Sequence, residues 1–125
     1  MNPDWKEDQP IYRQLRDKVA SAILEGSLKE GEALPSVRNV AMEMQINPLT
    51  ASKAYQELVS QELVEKRRGL GMFVIEGARA KLLQGERKRF LEEEWPEIVA
   101  RIQALEMDID DLVKGTGGSK NRKKS

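Results

Sequence analysis

Two short amphipathic segments separated by about three residues constrain this chain more than any other feature. Ser36 stands where a helix N-cap belongs, and Val37, Val40, Ala41 and Met44 follow at i, i+3, i+4 and i+7. That pattern predicts a helix of about two and a half turns. Gln45-Ile46 interrupts it, and Asn47-Pro48 supplies a second cap with proline at the first helical position, where the missing N–H is no loss. Ala51, Ala54, Tyr55 and Leu58 then repeat the apolar stripe. Alanines on the inner face let two helices cross closely, so the pair reads as a helix-turn-helix.

The flanking segments extend this unit. From Pro10 to Glu25, Ile11, Leu15, Val19, Ala22 and Ile23 form one apolar stripe closed by Gly26, which predicts a preceding helix. Ser27 to Pro35 reads as a loop, with room for a short strand at Ala33-Leu34. After the second short helix, Leu63–Arg67 and Met72–Ile75 flank Arg68-Gly69-Leu70-Gly71. This is the outline of a β-hairpin whose first strand is charged enough to be an edge. The expected fold is mainly α with a small β-hairpin wing: a winged helix-turn-helix over residues 9–77.

From Ala78 the composition shifts to long charged helix formers. Leu82, Leu83, Phe90, Leu91 and Trp95 precede Pro96, and Ile98, Ile102, Leu105, Ile109 and Leu112 follow at spacings of four, three, four and three. So narrow a seam suits another helix better than a globular core. Residues 78–114 are therefore expected to form a short helical dimerisation extension through Phe90, Leu91, Trp95, Ile98, Ile102, Leu105, Ile109 and Leu112. Two readings of its backbone stay open. Either one helix runs through, kinked or restarted at Pro96, or Asp108 with Asp111 caps a separate last turn and breaks the seam at Met107. Residues 115–125, with Gly117-Gly118 and Lys120, Arg122, Lys123 and Lys124, are expected to be a disordered basic tail.

Composition removes whole classes of function. Neither cysteine nor histidine occurs, so disulfides, thiolate metal sites and imidazole acid–base chemistry are impossible. The carboxylates of Glu92-Glu93-Glu94 and Asp110-Asp111 lie on charged helical segments with no glycine-rich loop or apolar pocket nearby, so no catalysis, metal or cofactor is expected. The longest apolar run, Met72–Ile75, falls far short of the roughly 20 residues of a membrane span. The polar, acidic start from Met1 to Asp8 lacks a signal-peptide pattern, and a cytoplasmic location is the expectation. With 21 Lys and Arg against 21 Asp and Glu in 125 residues, any anion binding must come from local patches.

Those patches can be placed. With its apolar stripe turned inward, the second helix of the pair presents Leu49, Thr50, Ser52, Lys53 and Gln56 outward. A recognition helix enters the major groove by its N-terminal residues, which puts Asn47, Pro48, Leu49, Thr50, Ser52 and Lys53 at bases or phosphates. The competing account is a solvated surface helix. Ser36 and Arg38 begin the preceding helix, where helix amides and a guanidinium could clamp a phosphate; a surface salt bridge is the alternative. Lys66-Arg67-Arg68-Gly69 is a dense positive cluster, three consecutive cations at the wing. Strand alternation puts Lys66 and Arg68 on one side and Arg67 on the other, so Lys66, Arg68 and Gly69 become the wing candidates. Edge protection by charge competes here.

The strings Leu34-Pro35-Ser36-Val37-Arg38, Asn47-Pro48-Leu49-Thr50-Ala51-Ser52-Lys53-Ala54-Tyr55-Gln56-Glu57-Leu58 and Arg67-Arg68-Gly69-Leu70-Gly71-Met72-Phe73-Val74, with the helix start Pro10-Ile11-Tyr12, closely resemble the winged helix of GntR-family bacterial transcription regulators. The resemblance implies a homodimer on near-palindromic operator DNA, most often a repressor. It implies that Arg38 contacts the DNA backbone or a base, that Pro48 to Lys53 enters the major groove, and that Arg68-Gly69 reaches the minor groove. Four positions depart from the pattern. Gln45 and Glu62 stand where glycine is usual, so the backbone there must change or tolerate strain. Met72 replaces a threonine, and Pro48 and Ser52 replace base-reading arginines of some subfamilies. Only 48 residues follow Gly77, and a short helical extension resembles the YtrA branch, whose members often control transporter operons. No small-molecule effector is identified by these residues. An alternative of another class is a winged helix that binds protein rather than DNA, marked by an apolar patch in place of a basic face.

Overall fold

The computed structural model describes residues 5–121, with 116–121 as backbone alone. Its elements are α1 (Ile11–Glu25), α2 (Val37–Met44), α3 (Pro48–Ser60), β1 (Val64–Arg67), β2 (Gly71–Val74), α4 (Ala78–Arg89), a π-helical stretch (Phe90–Glu94), α5 (Trp95–Ala104) and α6 (Ile109–Asn121). Two compact units meet between Gln84 and Gly85, inside α4, whereas the sequence places the boundary after Gly77. The first turns of α4 belong to the first unit because Ala78 is buried in its core and Leu82 packs against it.

In the first unit the helix boundaries follow from local chemistry. Pro10, with φ −59°, precedes α1, and Gly26 ends it at φ +93°, its N–H turned back to the carbonyls of Ala22 and Ile23. The Ser36 hydroxyl accepts from the Asn39 N–H at 3.0 Å and caps α2. The Asn47 side chain accepts from the Leu49 N–H at 2.8 Å and caps α3, with Pro48 in its first turn.

The turn between α2 and α3 is left-handed at Gln45, φ +58° and ψ +50°, and Glu62 after α3 has φ +62°. Of the two options read from the sequence, the chain keeps the glycine-type backbone and carries the strain. For a residue with a Cβ this costs about 1–2 kcal/mol. The surrounding hydrogen bonds hold both positions: Ile46 N–H to Ala41 O at 3.0 Å, and Leu63 N–H to Leu58 O at 3.0 Å.

The core gathers Leu15 and Ile23 of α1, Val40 and Ala41 of α2, Ala51, Ala54, Tyr55 and Leu58 of α3, and Leu63, Val64 and Val74 of the hairpin. Ala51 and Ala54 are both 0% exposed, as the close crossing of α3 with its neighbours requires. β1 and β2 pair antiparallel in the register Val64↔Val74 to Arg67↔Gly71. The segment before α2 adds an isolated bridge, Ala33↔Phe73, with Leu34 N–H donating to Met72 O at 2.8 Å. At the hairpin tip, Leu70 N–H closes a turn on Arg67 O at 2.9 Å. Gly69, at φ +75°, takes the third position, where a type II turn needs positive φ.

The second unit contains the rest of α4, the π-helical stretch, α5 and α6. The π-helical stretch ends just before Pro96, which has no N–H to donate and whose ring would crowd the carbonyl of the preceding turn; the widened turn accommodates it. Phe90 and Trp95 lie across this stretch with ring centroids 6.1 Å apart. α5 ends at Ala104, Glu106 takes φ +56°, and Asp108 accepts from the Asp110 N–H at 2.9 Å to begin α6. The seam is therefore broken at Met107, the second of the two readings. Helical backbone continues to Asn121 where the sequence suggested a disordered tail from Gly115: the Asp108 cap and the acidic first turn of Asp110 and Asp111 start this helix, against the poor helix propensity of Gly115, Gly117 and Gly118. Residues 122–125 of that tail lie outside the described residues, as do residues 1–4 of the acidic start. Among the described residues, no helix is long and apolar enough to cross a membrane.

Candidate nucleic-acid interface

Asn47 caps α3, and Pro48, Leu49, Thr50, Ser52 and Lys53 lie in its first two turns. Leu49, Thr50 and Lys53 sit at i, i+1 and i+4 and share its outer face. Leu49 is 77% exposed, Asn47, Pro48 and Lys53 are exposed, and Thr50 and Ser52 are half-buried. Asn47 is engaged in capping, so its carboxamide oxygen is already committed to the Leu49 amide. Ser36 is likewise committed to the Asn39 amide.

One cleft of about 760 Å³ brings three candidates together: Ser36 from the start of α2, Ser52 from α3 and Lys66 from β1. Its floor includes Tyr55, whose hydroxyl donates to the Pro35 carbonyl at 2.8 Å. Burial pushes the Tyr55 hydroxyl pKa up to about 12, because the phenolate would lose its hydration. Arg38, Asn47, Leu49 and Thr50 are not among the residues lining that cleft.

The wing sorts its cations. The Arg67 guanidinium lies 4.3 Å from the Phe73 ring centroid and bonds the Glu65 carboxylate at 3.0 Å, so its charge is held on the hairpin itself. Among the described residues Lys66, Arg68 and Arg38 make no ion pair. The salt bridge that competed for Arg38 is absent from this set. Gly69, at the tip, has open space where a Cβ would stand.

Sequence reasoning missed α1 as a part of this surface. The Lys53 ammonium lies 4.2 Å from the Tyr12 ring centroid, and Arg16 lies 4.0 Å from Glu57. Tyr12 belongs to the Pro10-Ile11-Tyr12 string, which carried the resemblance but no assigned role. Gln14 was also missed: buried on α1, it accepts from the Lys6 N–H at 2.7 Å and donates to the Lys6 and Gln9 carbonyls at 2.7 and 2.8 Å. It thereby fastens the segment that leads into α1. Among the described residues no cluster of three or more potential metal ligands occurs.

Residues 11–74 match the family described as bacterial regulatory proteins, gntR family. Over 83 residues the chain is 39% identical to the HTH-type transcriptional repressor YtrA of Bacillus subtilis, a match covering 66% of this chain and 64% of that repressor. The structure is similar to a transcriptional regulator from Oenococcus oeni, with a TM-score of 0.72 and 27% identity over 92% of this chain and 94% of the other. It is also similar to the DNA-binding domain of AraR, whose structure was solved in complex with operator ORX1: the TM-score is 0.52 and the identity 27%, over 59% of this chain and 90% of that one. These relatives are transcription regulators, not enzymes.

Proposed function

This chain belongs to the GntR family of bacterial regulatory proteins, and from that premise we propose that it is a sequence-specific DNA-binding transcription regulator that acts as a homodimeric repressor in the cytoplasm. Residues 9–77 bind DNA, and residues 78–114 join two copies. The observation that carries the reading is the outer face of α3, from Asn47 to Lys53, on the same compact unit as Arg38 of α2 and Lys66 and Arg68 of the hairpin, cations that make no ion pair among the described residues. α3 enters the major groove with Pro48, Leu49, Thr50, Ser52 and Lys53; Arg38 takes a phosphate or a base; Arg68 and Gly69 reach the neighbouring minor groove. Leu49 and Leu70, 77% and 70% exposed, would suit a protein partner if they stood alone. One helical turn before Lys53 on the same face of α3, Leu49 instead suits a thymine methyl.

The second unit supports the dimer by what it leaves uncovered. Leu91 and Leu105 are 59% and 55% exposed, Phe90, Ile98 and Ile109 are each 40% exposed, and Trp95, Ile102 and Leu112 are half-buried. A second copy would cover this surface and place two α3 helices on half-sites about one helical turn, roughly 10 base pairs, apart. A transporter operon is the target class that the YtrA likeness favours. Selection from a random-sequence duplex pool tests the reading: enrichment of a near-palindrome with that spacing is expected, and failure to enrich any sequence would contradict it.

A further inference from the structure

Lys53 is the cation on the outer face of α3, and two contacts from α1 determine its state. On a helix its natural partner is Glu57, at i+4. Arg16 of α1 instead lies 4.0 Å from the Glu57 carboxylate, while also bonding Asp17. Tyr12, one helical turn before Arg16, holds the Lys53 ammonium 4.2 Å from its ring centroid. Residues 12 and 16 of α1 thus meet residues 53 and 57 of α3 as a two-rung ladder. Tyr12 is half-buried and Lys53 exposed, and Lys53 makes no ion pair among the described residues.

A carboxylate would hold this lysine by cancelling its charge. An aromatic ring holds it through the quadrupole and leaves the full positive charge available. The ring also restricts a long side chain that otherwise has large rotamer freedom, so less order has to be created when a phosphate arrives. We propose that Tyr12 is a positioning residue for DNA binding: its ring presents the Lys53 ammonium, uncompensated and pre-oriented, to a backbone phosphate beside the start of α3. The proposal rests on the DNA-binding reading above and adds α1 to its interface.

The test is a double-mutant cycle on the full chain, with binding to a mixed-sequence DNA duplex followed over a salt series. Lys53→Met is expected to reduce the log–log salt slope by about 0.9 per subunit, the loss of one phosphate contact. Tyr12→Leu is expected to weaken binding about two- to fivefold per subunit, and Tyr12→Phe, which keeps the ring face, to retain wild-type affinity. In the Lys53→Met background, Tyr12→Leu should have no further effect. The Lys53 ε-methylene protons should be shifted upfield by the ring current in the wild type and in Tyr12→Phe, and not in Tyr12→Leu. The proposal is overturned if Tyr12→Leu weakens binding equally in both backgrounds, which marks a structural role, or if neither Tyr12→Leu nor Lys53→Met affects binding. Should the wild-type chain itself fail to bind the duplex at low salt, the DNA-binding reading falls and this proposal with it. Normal binding with a neutral Lys53→Met removes this proposal alone.

Discussion

The Tyr55 hydroxyl donates to the Pro35 carbonyl at 2.8 Å, joining the middle of α3 to the residue before the α2 cap. Tyr55 is 1% exposed, and the bond is part-buried, its acceptor residue Pro35 being exposed. It fixes where Ser36 and Arg38 stand relative to the face of α3. The wing is tied to the same segment through the Leu34 and Met72 backbone bond. The three parts of the candidate interface are thus referred to one short stretch of chain.

Tyr55→Phe leaves the Pro35 carbonyl without that donor and is expected to cost about 0.5–1.5 kcal/mol in urea denaturation. The same pair gives an alkaline signature. With its pKa raised from 10.0 to about 12, the Tyr55 hydroxyl contributes stability that is fully present below about pH 10 and is lost as pH rises toward 12. Tyr55→Phe should lose less stability than wild type across that window. An equal loss in the two proteins would show that Tyr55 is not its source.

Gln45 and Glu62 hold left-handed backbone at φ +58° and +62°. Glycine removes the Cβ strain there but loses more freedom on folding. Gln45→Gly is expected to stabilise the fold by up to about 1 kcal/mol. Glu62→Gly should gain less, because Glu62 also pairs with Lys81 at 3.2 Å, an exposed contact contributing about 0–1 kcal/mol. Denaturation midpoints check both, and a loss of stability in Gln45→Gly would refute the strain assignment.

Ala54 is fully buried where α3 crosses its neighbours. Ala54→Leu has no space to occupy and is expected to destabilise by about 1–3 kcal/mol or more, read as a fall in the thermal midpoint. Unchanged stability would mean that the crossing is looser than the burial indicates.

What was legible in the sequence was local. Ser36, Asn47 and Pro48 announce helix starts through side chains whose chemistry acts within three residues, and Ala51, Ala54, Tyr55 and Leu58 mark a buried face by their period alone. Gln45 and Glu62 were legible only as departures from a family pattern, since neither residue type signals left-handed backbone. The contacts of Tyr12 with Lys53 and of Arg16 with Glu57 join residues distant in the chain, and no periodicity reports such a pair. The π-helical stretch was hidden for a different reason: Pro96 signals a disturbance of the helix but not whether it will kink, restart or widen.

Leu91→Glu with Ile98→Glu places charge on the exposed apolar surface of the second unit. Sedimentation equilibrium is expected to find the wild type dimeric and this variant monomeric at micromolar concentration, with the helical circular dichroism of the first unit retained. A variant as dimeric as wild type would take the dimer contact away from residues 78–114.

The most direct test of the central claim is fluorescence anisotropy of the full chain on a selected operator duplex over a salt series, comparing wild type with Arg38→Ala and Arg68→Ala. The expected result is linear log–log salt dependence with a modest slope, reduced by about 0.9 for each phosphate contact removed, and weaker binding by both variants. Absence of binding at low salt, or affinities unchanged in both variants, would contradict the assignment of this face to DNA.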